Sequence, residues 1–78
     1  MTETERRLTT CFSLVFPDLT PEEIPRATMT SVGGWDSVAS INLVAVIEEE
    51  FGIEVDLEQL GEMASFLTIV DLLDDKDA

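Results

Sequence analysis

Apolar residues recur at helical spacing in the first part of the chain, from about Glu3 to Phe16. The positions that would share one buried face of this helix are Leu8, Cys11, Phe12 and Val15. Thr2, with Glu5 three residues later, predicts a capping box in which the two side chains satisfy free backbone N–H groups. Pro17 ends the helix, because its ring pushes the preceding residue out of the α region.

A second long helix is predicted to begin after Asp36 and to end near Phe51. Asp36 is a favourable N-cap residue, because its carboxylate can accept hydrogen bonds from the first backbone N–H groups. Gly52 suits the left-handed conformation that commonly follows the last turn of a helix. The core stripe of this helix is predicted at Leu43, Ile47 and Phe51.

Two further helices are predicted in the last third of the chain. Asp56 and Gln59 form a capping box for a short helix that extends to about Glu62. Ser65 can cap a last helix that extends to about Leu73. The residues of this helix that are predicted to face inward are Phe66, Ile69, Val70 and Leu73.

Residues 17–36 join the first two long helices and contain all three prolines of the chain. Thr20 and Glu23 predict a capping box with a proline at the first helical position, so a short helical turn should interrupt the loop. The side chains predicted to pin the loop to the core are Met29, Val32 and Trp35. No segment alternates as strands do, so the predicted fold class is all-α: a small four-helix bundle of three longer helices and one short helix, with a long loop between helices 1 and 2. We expect a single domain over residues 1–78.

The second long helix carries an additional apolar face. Val38, Ile41 and Ala45 fall together on the side opposite the core stripe, bordered by Asn42, Glu48 and Glu49. One interpretation is a helix that its neighbours bury on most sides. The other is a docking face with an apolar centre and a charged rim, because an exposed helix face is normally polar in a monomer.

Three consecutive acids, Glu48 to Glu50, occupy the last turn of the same helix, where the helix dipole already places partial negative charge. No Lys or Arg lies three or four residues away to offset them. Acids at the negative end of a helix, with no nearby basic residue to offset them, are unfavourable for the helix. Such an unfavourable arrangement often marks a functional surface, and we interpret these three acids in this way. The alternative is an acidic face that is simply solvated.

The amino-acid composition excludes several kinds of functional site and several kinds of partner. The chain has no His and one Cys among 78 residues, which excludes a Ser-His-Asp triad, a His-ligated metal site and an internal disulfide. Cys11 lies on a core stripe and is interpreted as a small buried hydrophobe. The net charge of −13 disfavours nucleic acid and anionic membrane surfaces and favours basic protein partners. Most of this charge lies in residues 36–78, and we expect a cytoplasmic protein.

Ser37 opens the second long helix, directly after Gly33-Gly34-Trp35-Asp36. Its hydroxyl would stand at a helix N-terminus, where free N–H groups and the dipole favour a phosphate. It has no base to activate it, so it cannot act alone as a nucleophile. Two hypotheses remain at this point: an ordinary capping serine, or an attachment point for a phosphate ester delivered by another enzyme.

The stretch Trp35-Asp36-Ser37-Val38, followed by the helix and acids of residues 43–55, resembles the acyl carrier proteins and the wider phosphopantetheine carrier family. The resemblance covers essentially the whole chain. It implies that Ser37 carries 4′-phosphopantetheine, installed from coenzyme A by a separate phosphopantetheinyl transferase. It also implies that Asp36 helps to position that reaction and its Mg²⁺.

The resemblance further implies that the thiol of the arm holds an acyl or aminoacyl group as a thioester. Its partners would be a loading ligase and downstream transferases or synthases with basic docking surfaces. The residues that would meet them are Val38, Ile41, Asn42, Ala45, Glu48 and Glu49. The protein itself would be a monomer with no catalytic residue and no bound metal.

The chain departs from the fatty-acid-synthesis carriers early in the second helix. It has Ala39 and Asn42 where those carriers usually have acids, and Val38 where they have Leu. These departures favour a free-standing carrier dedicated to a secondary pathway, such as polyketide, lipid-modification or aminoacyl transfer. The alternative from another functional class is an unmodified acidic helical module that docks on a basic partner protein.

Overall fold

The helices form where the capping residues and the apolar stripes predict them. A computed structural model describes residues 2–77, without the side chains of residues 57, 76 and 77; Met1 and Ala78, the ends of the predicted domain, lie outside the described residues. The helices are α1 (Glu3–Val15), α2 (Ser37–Phe51), α3 (Leu57–Leu60) and α4 (Phe66–Asp77), with a 3-10 helix at Ile24–Arg26. Within residues 2–77 the structure shows no strand, and the all-α prediction is confirmed.

Side-chain caps fix the predicted helix starts. At α1, the Glu5 N–H donates to Thr2 Oγ1 and the Thr2 N–H donates to Glu5 Oε1, both at 3.1 Å. The hydrogen bond from the Thr2 backbone N–H, followed by the contact with the Thr2 side chain, holds the pKa of the Glu5 carboxyl below its usual value. The predicted box of Thr20 and Glu23 is also closed in both directions, and the helical turn that follows it is the 3-10 helix.

Two helix ends differ from the prediction. The last helix was expected to end at about Leu73, but α4 continues to Asp77. No Gly or Pro follows Leu73, so nothing in the backbone stops the helix there. The short helix α3 ends at Leu60 rather than Glu62, and Gly61 is its C-cap residue.

The core lies where α1 packs against α2 and α4. Phe12 is fully buried at its centre, with its ring 5.3 Å from Phe66 and 5.4 Å from Trp35, both in edge-to-face contact. All four residues predicted to face inward on α4 are buried. Cys11 is buried as predicted, and this burial raises the pKa of its thiol to about 11.

The long loop between α1 and α2 is fastened to the start of α4. The Met29 N–H donates to the Ala64 carbonyl at 2.9 Å, and the Phe66 N–H donates to the Ala27 carbonyl at 3.0 Å. Trp35, one of the three predicted anchors, is buried at the end of the loop, while Met29 and Val32 are half-buried against the core. The loop therefore delivers the chain to the start of α2 along a defined path.

Candidate functional site

Ser37 is the first residue of α2 and is exposed. Asp36 caps the helix, as predicted: its Oδ1 accepts a hydrogen bond of 2.9 Å from the Ala39 N–H, and its carbonyl accepts one of 2.9 Å from the Ser40 N–H. The hydroxyl of Ser37 thus stands at the positive end of a 15-residue helix, open to an approaching molecule.

A second serine one turn later has a different environment, which the sequence analysis missed. Ser40 is the one polar residue buried among the side chains that the structure describes, and its Oγ accepts a hydrogen bond of 2.9 Å from the Trp35 indole N–H. Trp35 itself packs on Phe12 and Phe16 of the core. The signal that could have revealed this pair is a Trp five residues before a Ser on the inner face of the helix. Its effect is to clamp the residues on both sides of Ser37.

The additional apolar face of α2 is exposed. Val38 is 66% exposed and Ile41 57% exposed, and Ala45 and Asn42 are exposed beside them. The hypothesis that neighbouring helices bury this side is therefore wrong. The face borders a groove of about 220 Å³ between α2 and the region of α3, and Ile41, Ala45 and Leu60 are among the residues that line it.

Glu48 has a structural contact that sequence spacing did not indicate. It is half-buried, and its Oε2 accepts a hydrogen bond of 2.8 Å from the Val55 N–H in the segment after α2. Its carboxylate therefore holds the turn that leads to α3. The interpretation of Glu48 as an uncompensated acid at the end of α2 is wrong, because an N–H group seven residues later compensates it.

Glu50 is also compensated, by α1. Arg7 Nε lies 3.5 Å from Glu50 Oε1, and the same guanidinium donates to the Glu50 backbone carbonyl. The guanidinium carbon is 4.4 Å from the centre of the Phe51 ring, which adds a cation–π contact. A cation 43 residues away offsets the negative end of the helix dipole, and no rule based on spacing within one helix can detect it. Glu49, the middle acid, is exposed.

The chemistry available around Ser37 is limited. The Asp36 side chain accepts a capping hydrogen bond, and no His exists to serve as a base. Among the described residues, no three His, Cys, Asp or Glu side chains are placed to hold a metal ion. The arrangement suits a hydroxyl that is modified by another enzyme, since it is accessible, fixed in position and beside free N–H groups that favour a phosphate.

None of the helices in the described range is long and apolar enough to cross a lipid bilayer.

Comparison with known proteins agrees with this geometry. The family profile for a phosphopantetheine attachment site matches residues 6–74, which span all of α2 and most of α1 and α4. No curated protein matches the chain significantly. The match includes the exposed serine, its capping aspartate and the clamp formed by Trp35 and Ser40. The chain belongs to the phosphopantetheine attachment-site family, whose domains bind 4′-phosphopantetheine covalently.

Proposed function

We propose that Ser37 is the residue that carries 4′-phosphopantetheine and that the protein presents acyl or aminoacyl groups, bound as thioesters, to partner enzymes. The observation that carries this proposal is the contrast between two serines of α2. Ser37 is exposed at the helix start, whereas Ser40 is buried and engaged by Trp35. Only the first can meet the active site of another enzyme without unfolding of the helix.

The attachment is a transfer from coenzyme A. The Ser37 oxygen forms a bond to the phosphorus that bears pantetheine, and the pyrophosphate P–O bond breaks, so that 3′,5′-ADP leaves. The hydroxyl proton goes to a base of the transferase, because this chain has no His and the Asp36 carboxylate accepts the capping hydrogen bond of the Ala39 N–H. Asp36 supports the reaction by holding the first turn of α2 and by adding a carboxylate that can approach the transferase's Mg²⁺.

Partner enzymes would dock on the exposed face of α2. Val38, Ile41 and Ala45 supply its apolar centre, and Asn42 and Glu49 lie at its rim. Glu48 adds negative charge, but its position is restricted by its hydrogen bond to Val55. Basic residues on the partners would be attracted by the large negative charge of this half of the chain.

We further propose that the carrier serves a dedicated pathway rather than general fatty acid synthesis. That pathway would modify lipids, build polyketides or transfer aminoacyl groups. Its support is the uncharged first part of α2: Ala39 and Asn42 stand there, and the first acid after Ser37 is Glu48. A partner that docks on this part would need fewer basic residues. We place the protein in the cytoplasm as a monomeric, non-catalytic carrier, because coenzyme A and the transferase act there.

The test is intact-mass spectrometry after incubation with coenzyme A, Mg²⁺ and a promiscuous phosphopantetheinyl transferase. We expect the wild type to gain the mass of one phosphopantetheine group and Ser37→Ala to gain none. Ser13→Ala, which changes another exposed serine, is the matched control and should be modified like the wild type.

An unmodified wild type, or a Ser37→Ala variant that still gains the group, would contradict the proposal. Binding to a native partner that is equally strong in the wild type and in Ser37→Ala, together with no modification in the native host, would instead favour the acidic interaction module.

A further inference from the structure

A groove of about 540 Å³ lies beside Ser37, on the side of α2 that faces the long loop. Asp36 and Val38, the two neighbours of Ser37 in sequence, both line it, together with Gly33, Gly34 and Asn42. Its volume is within the range of about 300–1,000 Å³ that is common for small-molecule sites. Ser37 itself does not line the groove, so a group attached to it would enter the groove past Asp36 or Val38.

Gly33 and Gly34 are not required by the fold. Neither has a positive φ, and a Cβ atom built on either would meet no atom within 4 Å. By contrast, Gly52 adopts a left-handed conformation with φ of 64°, which explains its glycine. The fold therefore does not require glycine at either position, and the two glycines leave the backbone exposed where they line the groove.

The backbone of these glycines also offers hydrogen-bonding groups. Among the backbone hydrogen bonds of the described residues, Gly34 uses its carbonyl to accept from the Asp36 N–H, but the Gly33 N–H, the Gly33 carbonyl and the Gly34 N–H have no partner. Donors and an acceptor are therefore available next to apolar side chains such as Leu19 and Val32.

We propose that this groove binds the neutral pantetheine part of the arm when the loaded carrier is not engaged by a partner, an inference that rests on attachment at Ser37. Pantetheine has two amides and a hydroxyl, which match the free glycine groups and the Asn42 amide, and a dimethyl carbon, which matches Val32 and Val38. Asp18 and Asp36 at the groove repel the phosphate, which stays at the helix N-terminus. The smaller groove at α3, of about 220 Å³, has less room for the same group.

The first test compares amide chemical shifts of the ¹⁵N-labelled apo protein and the same protein loaded with unacylated phosphopantetheine. We expect the largest changes outside the first turn of α2 at Leu19, Val32 to Gly34 and the Asn42 side chain. If Val44, Val55 and Leu60 shift instead, or if nothing beyond the first turn of α2 shifts, the groove does not hold the arm, although attachment at Ser37 would still stand.

The second test measures how fast the arm thiol reacts with a small aromatic disulfide. Cys11 is buried with a raised pKa, and the apo protein gives its background rate. Gly33→Val adds a side chain to a residue that lines the groove, and it should make the arm thiol react about threefold faster if the groove protects about two thirds of the population. Gly61→Val is the matched control, since Gly61 is also exposed with open space around its Cβ, and it should match the wild type.

Equal thiol rates in the wild type and in Gly33→Val would overturn the proposal. If the rates are equal but Gly33→Val slows modification by the transferase, the uncovered glycines serve the approach of that enzyme rather than the arm. A wild type that never accepts the group would instead refute the proposed function.

Discussion

The two ends of α2 are built in opposite ways. At its start, Ser37, Val38 and Ile41 are exposed and the two glycines of the preceding loop leave open space. At its end, the side chain of Glu48 and the carbonyl of Glu50 are held by hydrogen bonds from elsewhere in the chain. Both ends are therefore held in place, the start by Asp36 and the Trp35–Ser40 pair, but the start leaves apolar side chains exposed.

Residues whose side chains stabilise the fold and residues whose side chains are available for recognition therefore lie at different ends of α2. The end of α2 uses its polar groups for contacts within the chain. The start of α2 leaves a hydroxyl and apolar side chains available to other molecules.

The largest difference in stability is expected between two isoleucines of α2. Ile47 is 0% exposed and Ile41 is 57% exposed. Ile47→Ala should lower the free energy of unfolding by about 2–5 kcal/mol, because it removes fully buried methyl and methylene groups. Ile41→Ala should change it by less than about 0.5 kcal/mol. Chemical denaturation followed by circular dichroism measures both.

In binding, the order of these two variants should reverse. At a temperature where both are folded, Ile41→Ala should weaken docking to a partner enzyme, and Ile47→Ala should leave it nearly unchanged. A loss of stability in Ile41→Ala as large as that in Ile47→Ala would show that the exposed face is packed in solution.

A smaller difference is expected between two glycines. Gly52→Ala should destabilise the protein by about 1–2 kcal/mol, because a Cβ atom disfavours the left-handed conformation that follows α2. Gly34→Ala, before the start of α2, should be neutral or stabilising by up to about 1 kcal/mol, since it restricts the unfolded chain without a clash. Equal losses in thermal or urea unfolding would mean that the loop conformation before Ser37 also depends on its glycines.

The smallest effect is expected from the two arginines of α1. Arg7→Gln should lower the free energy of unfolding by about 0.5–1 kcal/mol, because Arg7 pairs with Glu50 across the bundle. The loss stays small because both side chains are more than a third exposed. Arg6→Gln makes the same change of net charge but loses only an exposed pair with Glu3, so its effect should be close to zero. Urea titrations of both variants at low and high salt measure this. The gap between them should narrow with salt, and a gap that widens would contradict the assignment.

Local sequence signals predicted most of the fold. Thr2, Asp36 and Gly52 act within one turn of the helix ends that they define, so their roles follow from spacing alone. The apolar stripes predicted the core for the same reason. The exposed position of Ser37 at a helix start followed from Asp36 as the cap, and the structure agrees.

The missing parts of the site depend on distant contacts. Arg7 compensates the end of α2 from 43 residues away, and Trp35 reaches Ser40 only because the loop folds back onto the core. The continuation of α4 past Leu73 was not predicted, because the apolar stripe that indicated the helix ends at Leu73 and polar residues follow it. For Arg7 and Glu50, what decides the structure is which groups the fold brings together, and spacing within one helix does not contain that information.

The buried indole of Trp35 gives this molecule an optical property. The chain has one Trp and no Tyr, so its near-ultraviolet emission comes almost wholly from a ring placed two residues before Ser37. Shielding of that ring from water should give short-wavelength emission. A structural change at the start of α2 would then shift the wavelength or change the intensity of the tryptophan fluorescence, which is measured without an added dye.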